Sequence, residues 1–408
     1  MRYKPSTKLT LTVTTLSILG AMGFVWKNGY TKERAIRSRL NAAEGEGNLA
    51  PWKPAPIAGE LQAKLKALEP ILEEALDQAP PAPRQATIDA LGDEEQLAEA
   101  TKWIDALAPI YLDPIEKLVQ APEVQAAIQS SKPLSIEKPS LLDSRRAADA
   151  FCSAALIEAC VRKDEVRAIE RLKTCLDLAQ IYFDGSRIGL GVRAALHGNA
   201  RRTIMTLLEK TGTDPQFVRD TLGPYFQPNW SSITPMRIAR NEFSMARDQL
   251  DRFCEARKAG ELSKEEWGIS NWNSYRYFHF FNKYLGRLDN SLAAASLDPQ
   301  EYLRFREGNP FRDVLGVIQC HYRSASDSAF LVYLALCAYR SQHGSYPKDY
   351  AAWYHAESLP LDPHTGSRFR FEKTEEGLTL GPAAIAKFAS DHLTVKFNMG
   401  LAYPLPGT

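Results

Sequence analysis

The chain carries almost no net charge, and it lacks the short motifs that mark common catalytic and metal-binding sites. Its 50 basic and 49 acidic residues leave a formal net charge of +1, a balance that argues against nucleic acid as a partner. No two of its six cysteines have CxxC spacing, and its seven histidines form no HExxH or HxH pattern. No metal site and no cofactor are therefore predicted. A GxSxG nucleophile elbow is missing as well, and no catalytic residue is predicted.

What remains is a long chain with enough apolar residues to fold. At 408 residues the chain is too long for a single small core, and its length is typical of two domains or of one extended helical array. Hydrophobic residues make up 44% of the chain, which argues against a chain that is disordered throughout.

The N-terminal segment decides the predicted compartment. Residues 9–26 carry no charge and follow a short basic stretch; as a helix they would span about 27 Å. We favour an uncleaved signal anchor, with Trp26 at the membrane interface. A signal peptide cleaved before Phe24 and a buried helix are the alternatives.

The orientation of this anchor follows from its short basic N-terminus. Basic residues also follow the segment, between positions 27 and 39, so the balance of charge alone does not fix the orientation. Short basic N-termini usually remain in the cytoplasm, which places residues 27–408 in the periplasm. The sequence thus predicts a single-pass inner-membrane protein that is attached through residues 9–26.

Helical periodicity runs through most of residues 57–308, after a linker at residues 27–56. Pro70, Pro109 and Pro114 are expected to break the early helices into short pieces.

Three further helix starts are predicted where a capping residue precedes proline, because the cap accepts a backbone hydrogen bond and proline suits the first helical position. They are Asp214, Thr234 and Asp298, of which Thr234 gives the strongest pattern.

The clearest helical hairpin covers residues 140–183, with its turn at residues 162–164. It resembles a tetratricopeptide-type unit, although the chain shows no fixed internal period. The expected inner faces of its two helices are Ala148, Phe151, Cys152, Ala155, Leu156, Ala159 and Cys160, and Val166, Ile169, Leu172, Leu176, Ala179 and Phe183.

Cys152 and Cys175 lie at about equal distances from that turn and are expected to face each other across the two antiparallel helices. A disulfide between them requires that both Cβ atoms point toward each other. The alternative is that all six cysteines are small buried hydrophobic residues.

Aromatic residues are concentrated between positions 267 and 284. This cluster predicts either a ligand or glycan platform or an interhelical core whose polar tips reach the surface. The candidate binding surface consists of Trp272, Tyr275, Tyr277, His279 and Tyr284. An enzyme that combines this cluster with Arg240 and Glu242 is a further hypothesis.

Residues 335–371 combine a helix that ends at Gly344, a short helix opened by Tyr346-Pro347, a turn from Asp362 to Gly366 and the start of a β-hairpin. This pattern resembles the C-terminal half of type IV pilin-like proteins, nearest to the major pseudopilin of the type II secretion system. It is more similar to a group of uncharacterised bacterial envelope proteins in which a long helical region precedes the same ending. The resemblance implies an architecture and a compartment.

These observations predict a mainly α fold with four parts. They are a signal anchor at residues 1–26, the linker at 27–56, a helical domain at 57–308 and a pilin-like domain at 309–408 that has a long helix and a small β-hairpin. The favoured function is a non-catalytic envelope protein that presents a helical surface to an unidentified protein partner. The alternatives are an assembly component of a secretion-like or pilus-like machine, and an enzyme or glycan binder that uses the cluster at 267–284.

Overall fold

The computed structural model describes residues 94–129, 141–181, 187–227, 315–362, 366–374, 377–381 and 403–404, with isolated residues between 34 and 63 and between 247 and 255. Of this part 81% is helical, so the prediction of a mainly α protein is confirmed. The chain divides into two compact units. Nearly all the described residues belong to the unit built from Lys53–Ile238, Leu297–Gly308 and Leu315–Thr408.

The described elements of this unit follow one another in a simple order. The helices are α1 (Glu94–Leu107), a π-helical segment (Ala108–Leu112), α2 (Asp113–Val119), α3 (Pro122–Gln129), α4 (Leu141–Cys160), α5 (Glu165–Ile181), α6 (Arg187–Lys210), α7 (Pro215–Leu222), a 3₁₀ turn (Gly223–Phe226), α8 (Leu315–His343) and α9 (Tyr350–Ala356). The strands are β1 (Arg370–Thr374), β2 (Gly377–Gly381) and β3 (Tyr403–Pro404). They form an antiparallel sheet in the order β1-β2-β3.

The prediction that Pro109 and Pro114 break the first helices is wrong, whereas Pro70 and the predicted helix starts at Thr234 and Asp298 lie outside the described residues. Helix α1 continues through the π-helical segment into α2, and Pro109 lies within that segment. Proline lacks an N–H group and clashes with the carbonyl four residues before it in an α-helix. A π-helical turn changes the hydrogen-bond register, as seen where the N–H of Asp113 donates to the carbonyl of Ala108. Pro114 lies in the first turn of α2, where a missing donor is tolerated.

The predicted hairpin is confirmed as helices α4 and α5. Its turn places Lys163 at a positive φ of 57°, and the N–H of Asp164 donates to the carbonyl of Glu158 at 2.9 Å. The expected inner faces are buried except for two side chains: Cys160 is half-buried, and Val166 is 58% exposed. Val166 lies in the first turn of α5, next to the hairpin turn, where α4 has already ended. Phe183 lies outside the described residues.

Helix α8 packs against α6 and α7 and joins the same hydrophobic core as the hairpin. The ring of Phe330 on α8 lies 4.8 Å from the ring of Phe226 and 5.6 Å from that of Tyr333. Helix α7 begins where the sequence predicts, because the side chain of Asp214 accepts a hydrogen bond from the N–H of Gln216 at 3.0 Å. In the part of the chain that the structure describes, helices from both predicted domains, at 57–308 and 309–408, therefore contribute to one core.

The C-terminal elements follow the predicted order with one correction. Gly344 ends α8 at a φ of +71°, as predicted. The short helix begins at Tyr350, and its N-cap is Asp349, whose side chain accepts from the N–H of Ala352 at 2.9 Å. A start at Tyr346-Pro347 is therefore wrong, because an aspartate cap three residues later supplies the acceptor that the first turn needs.

The turn before the sheet is closed by backbone hydrogen bonds, in agreement with the prediction. The N–H of Asp362 donates to the carbonyl of Ser367 at 2.8 Å, and the N–H of Gly366 donates to that of Asp362 at 2.8 Å. The predicted hairpin follows as β1 and β2, which pair from Arg370 with Gly381 to Thr374 with Gly377.

Substitution of two glycines by alanine should change the free energy of unfolding in opposite directions. Gly344→Ala should lower the free energy of unfolding by about 1 kcal/mol, because a β-carbon is disfavoured at positive φ. Gly191→Ala, in the interior of α6, should raise it by about 0.5–1 kcal/mol, because a β-carbon there meets no atom within 4 Å. Denaturant unfolding followed by circular dichroism measures both. A stabilising Gly344→Ala would contradict the assigned helix end.

Candidate functional site

The structure brings one pair of predicted site residues together. The sulfur atoms of Cys152 on α4 and Cys175 on α5 lie 4.0 Å apart, and both side chains are buried. The predicted juxtaposition is therefore confirmed, while both thiols are free in the structure. The disulfide stays a prediction. Its formation requires the two sulfurs to approach to about 2.05 Å.

Cys175 and Cys337 are poorly suited to act as nucleophiles. The hydrogen bond with Cys152, together with burial, raises the pKa of Cys175 well above that of an ordinary thiol. Burial also raises the pKa of Cys337, to about 12. A protonated thiol is a weak nucleophile and metal ligand, so these cysteines support a structural role. Within the described residues, no group of three or more potential ligands is arranged to hold a metal ion.

The other predicted site residues lie outside the described residues. This applies to the membrane segment at residues 9–26 and to the candidate binding surface of Trp272, Tyr275, Tyr277, His279 and Tyr284. Arg240 and Glu242 fall in the same category. Among the helices that the structure describes, none combines the length and apolar character that a membrane span needs.

An open groove lies where the start of α9 meets the strand β1. We call it the α9–β1 groove; it encloses about 730 Å³ and is lined by Lys348, Asp349, Tyr350, Ala351, Arg368, Phe369, Arg370 and Phe371. Its lining includes three cationic side chains and one carboxylate, that of Asp349, which caps α9. The groove therefore has a net positive character, and its lining also includes three aromatic residues.

The aromatic side of the α9–β1 groove is held by hydrogen bonds and ring contacts. The rings of Tyr350 and Phe371 stack with centroids 5.0 Å apart, and the hydroxyl of Tyr350 donates to the carbonyl of Phe369 at 3.1 Å. Phe369 is buried in the core, and the hydroxyl of Tyr354 donates to the carbonyl of Pro360. Desolvation by burial raises the pKa of Tyr350, so its hydroxyl remains a donor at neutral pH. These contacts connect the groove to α9, and α9 contacts α8 through the rings of Trp353 and Tyr339, 5.8 Å apart.

An ionic cluster in which Arg171 and Glu116 are buried joins α2 to α5. Arg171 is 1% exposed and contacts Glu116 at 2.7 Å and Asp113 at 2.7 Å. Arg167 contacts the same two carboxylates, each at 2.9 Å. Burial raises the pKa of Glu116, while the Arg171 and Arg167 guanidinium groups act in the opposite direction. Glu116 thus has two cationic partners, which offset much of its desolvation.

A second polar cluster joins α6 to α8. Arg193, His197 and Arg201 recur every fourth residue along α6, and all three are buried. Arg201 forms an ion pair of 2.6 Å with Asp327 on α8, and Nδ1 of His197 lies 3.8 Å from the same carboxylate. These contacts fix the axial position of α8 against α6, because a shift of one helical turn would separate buried charges.

A buried carboxyl group, Asp177 on α5, ties together three elements. It accepts hydrogen bonds from the hydroxyl of Tyr225 at 2.6 Å and from Nε2 of Gln125 at 3.0 Å. Burial raises its pKa, and the two hydrogen bonds counteract that rise. Raised pKa values mark catalytic acids as well as structural networks. Here both neighbours satisfy the carboxyl directly, which indicates a structural role.

The sequence contains a weak signal for these clusters. Asp113 and Glu116 are three residues apart, and Arg167 and Arg171 are four apart, so each pair occupies one helix face. The arginine and histidine positions of α6 share the same spacing. Nothing in the spacing tells which opposing helix receives these side chains, so the two charged clusters could not be predicted, and the Asp177 cluster has no spacing signal at all.

Comparison with protein families, with curated proteins and with solved structures finds no match for this chain.

The ionic cluster between α2 and α5 provides a stability test. Arg171→Met should lower the free energy of unfolding by about 3 kcal/mol, because it removes a cation from buried Glu116. The double variant Glu116→Gln/Arg171→Met should lose less than the sum of the two single losses. Arg219→Met is the control, since its pair with Glu357 is partly exposed and should contribute about 0–1 kcal/mol. Additive losses measured by denaturant unfolding would contradict a coupled pair.

The cysteine pair provides a redox test. Full-length protein refolded in an oxidising glutathione buffer should lose the mass of two hydrogen atoms and yield a peptide that links Cys152 to Cys175. Cys175→Ala should abolish this linkage, whereas Cys337→Ala should leave it unchanged, because Cys337 belongs to α8. Intact mass and peptide mapping give the answer. A linkage that survives in Cys175→Ala, or never forms in the unaltered chain, would contradict the pairing.

Proposed function

We propose that this protein is a non-catalytic, membrane-anchored protein of the bacterial envelope whose helical body binds another protein. The observation that carries this proposal is the α9–β1 groove, a positively charged and partly aromatic surface fixed on a rigid core. Aromatic and arginine side chains are the residues that most often dominate the affinity of protein interfaces.

The helical body suits a scaffold. Helices α4, α5 and α6 pack against one another, and we interpret them as a tetratricopeptide-like array that holds the groove in place. Their polar residues support the same interpretation, because the ionic clusters connect helices to helices. Binding surfaces on rigid elements lose little conformational entropy when a partner docks.

The compartment is part of the proposal and rests on the N-terminal sequence. Residues 9–26 would anchor the chain in the inner membrane, and residues 27–408 would lie in the periplasm. An oxidising periplasm would also permit the disulfide between Cys152 and Cys175.

An assembly component of a secretion-like machine is the second candidate. It is favoured by the order of the last elements, in which the long helix α8 is followed by the short helix α9, a tight turn and an antiparallel hairpin. The sequence resemblance to pilin-like proteins implies that order. This candidate differs from a simple scaffold by requiring oligomers in the membrane, which size analysis after crosslinking would detect.

The experiment that tests the leading proposal combines fractionation with crosslinking in cells. The full-length chain should remain with membranes, and its body should be digested when protease is added to intact spheroplasts. A photoreactive residue at Ala351, which is exposed in the groove, should give an adduct with a second protein. The same residue at Lys102, exposed on α1, is the control and should give none.

Two outcomes would contradict the proposal. Protection of the membrane-bound body from protease would place it in the cytoplasm and overturn the envelope assignment. Equal adducts from Ala351 and Lys102, or none from Ala351, would contradict a specific protein-binding surface at the groove.

A further inference from the structure

We propose that the α9–β1 groove binds an extended, acidic segment of a partner protein, which adds to the outer edge of β1 as a further strand. This inference rests on the proposed protein-binding function and names the chemistry of the partner. Three independent features of the groove support it: the position of β1 in the sheet, the charge of the lining and the stacked aromatic rings.

The first feature is that β1 lies at an edge of the described sheet. Among the described strands it pairs only with β2, along its full length from Arg370 to Thr374. An edge strand directs alternate N–H and C=O groups away from its neighbour, and these groups can pair with an extended peptide. Strand addition of this kind is a common mode of peptide recognition. The groove lies along residues 368–371, where β1 begins.

The second feature is the sign of the charge. Lys348 and Arg368 are exposed at the groove, and neither forms an ion pair with another described residue. The carboxylate of Asp349 is already engaged by the N–H of Ala352. Because Lys348 and Arg368 outnumber the single carboxylate of the lining, an acidic segment complements this surface.

The third feature is the exposed part of the aromatic pair. Tyr350 and Phe371 are only half-buried, although their rings stack on each other. Tyr346 contacts Phe371 from another side, with ring centroids 5.8 Å apart, so the pair has a fixed orientation. A fixed ring face suits an apolar side chain placed between acidic residues of the partner.

Nucleic acid and anionic lipid headgroups would also match a positive surface. Both lack the backbone N–H and C=O groups that pair with an edge strand. The alignment of the basic side chains with the start of β1 therefore favours a peptide, and the other two ligand classes become arms of the test.

The test begins with short random peptides displayed on phage and selected on purified full-length protein in detergent. Selection should enrich peptides with an excess of aspartate and glutamate. A fluorescein-labelled copy of an enriched peptide should bind the double variant Lys348→Glu/Arg368→Glu at least about tenfold more weakly than the unaltered chain, by fluorescence anisotropy. The matched control Lys102→Glu/Lys117→Glu reverses two exposed charges on α1 and α2 and should leave the affinity unchanged.

A second variable tests strand addition itself. Proline placed at the centre of the enriched peptide should weaken binding even though its charge is unchanged, because proline removes an N–H donor. Circular dichroism of each protein variant verifies that it is folded before binding is compared.

Each remaining outcome overturns a stated part of the proposal. Binding of an acidic segment would be rejected by any of three results: no enriched peptide, enriched peptides without acidic residues, or equal binding to both double variants. The proposed protein-binding function would then still be decided by the crosslinking experiment. Binding that tolerates proline would reject strand addition. The other two ligand classes are tested with vesicles of phosphatidylglycerol and with single-stranded RNA. If no peptide binds, and if one of these ligands binds the unaltered chain but not Lys348→Glu/Arg368→Glu, the groove belongs to that ligand class.

Discussion

The packing of α8 against α6 and α7 is the constraint on which the described unit depends. Phe330 contacts both Phe226 and Tyr333, and it places α8 in the same core as the α4–α5 hairpin. The ion pair between Arg201 and Asp327 fixes the axial position of that helix, since a buried charge without its partner costs several kcal/mol. Hydrophobic burial thus provides the main driving force, and the ion pair selects one alignment among those that bury similar apolar area.

The groove depends on this alignment. Helix α8 ends at Gly344, and the chain then turns into α9 and the sheet, so the position of α8 sets the position of Tyr350 and of β1. Phe369 anchors the strand in the core, and its carbonyl accepts the Tyr350 hydroxyl. A surface built in this way has few alternative conformations, which favours a binding role.

Much of the local structure follows from the sequence. The α4–α5 hairpin, the cap at Asp214, the helix end at Gly344 and the β-hairpin each depend on a residue type with a strong local preference. The errors are also local in origin. A π-helical turn accommodates Pro109, and the cap at Asp349 shifts the start of α9 along the chain. In each case the backbone forms hydrogen bonds other than those that the position of proline alone would predict.

The sequence by itself determined the mainly α class, the juxtaposition of Cys152 and Cys175, the end of α8 at Gly344 and the β1–β2 hairpin, since each depends on residues close in the chain. Only the tertiary structure decided which helix faces meet. It paired Arg171 with Glu116 and Arg201 with Asp327, and it placed Lys348 and Arg368 on the lining of one groove. Helical spacing places a charged side chain on a face but carries no information about the element packed opposite. The burial of the whole core decides which elements pack together, and no single segment of the sequence contains that information.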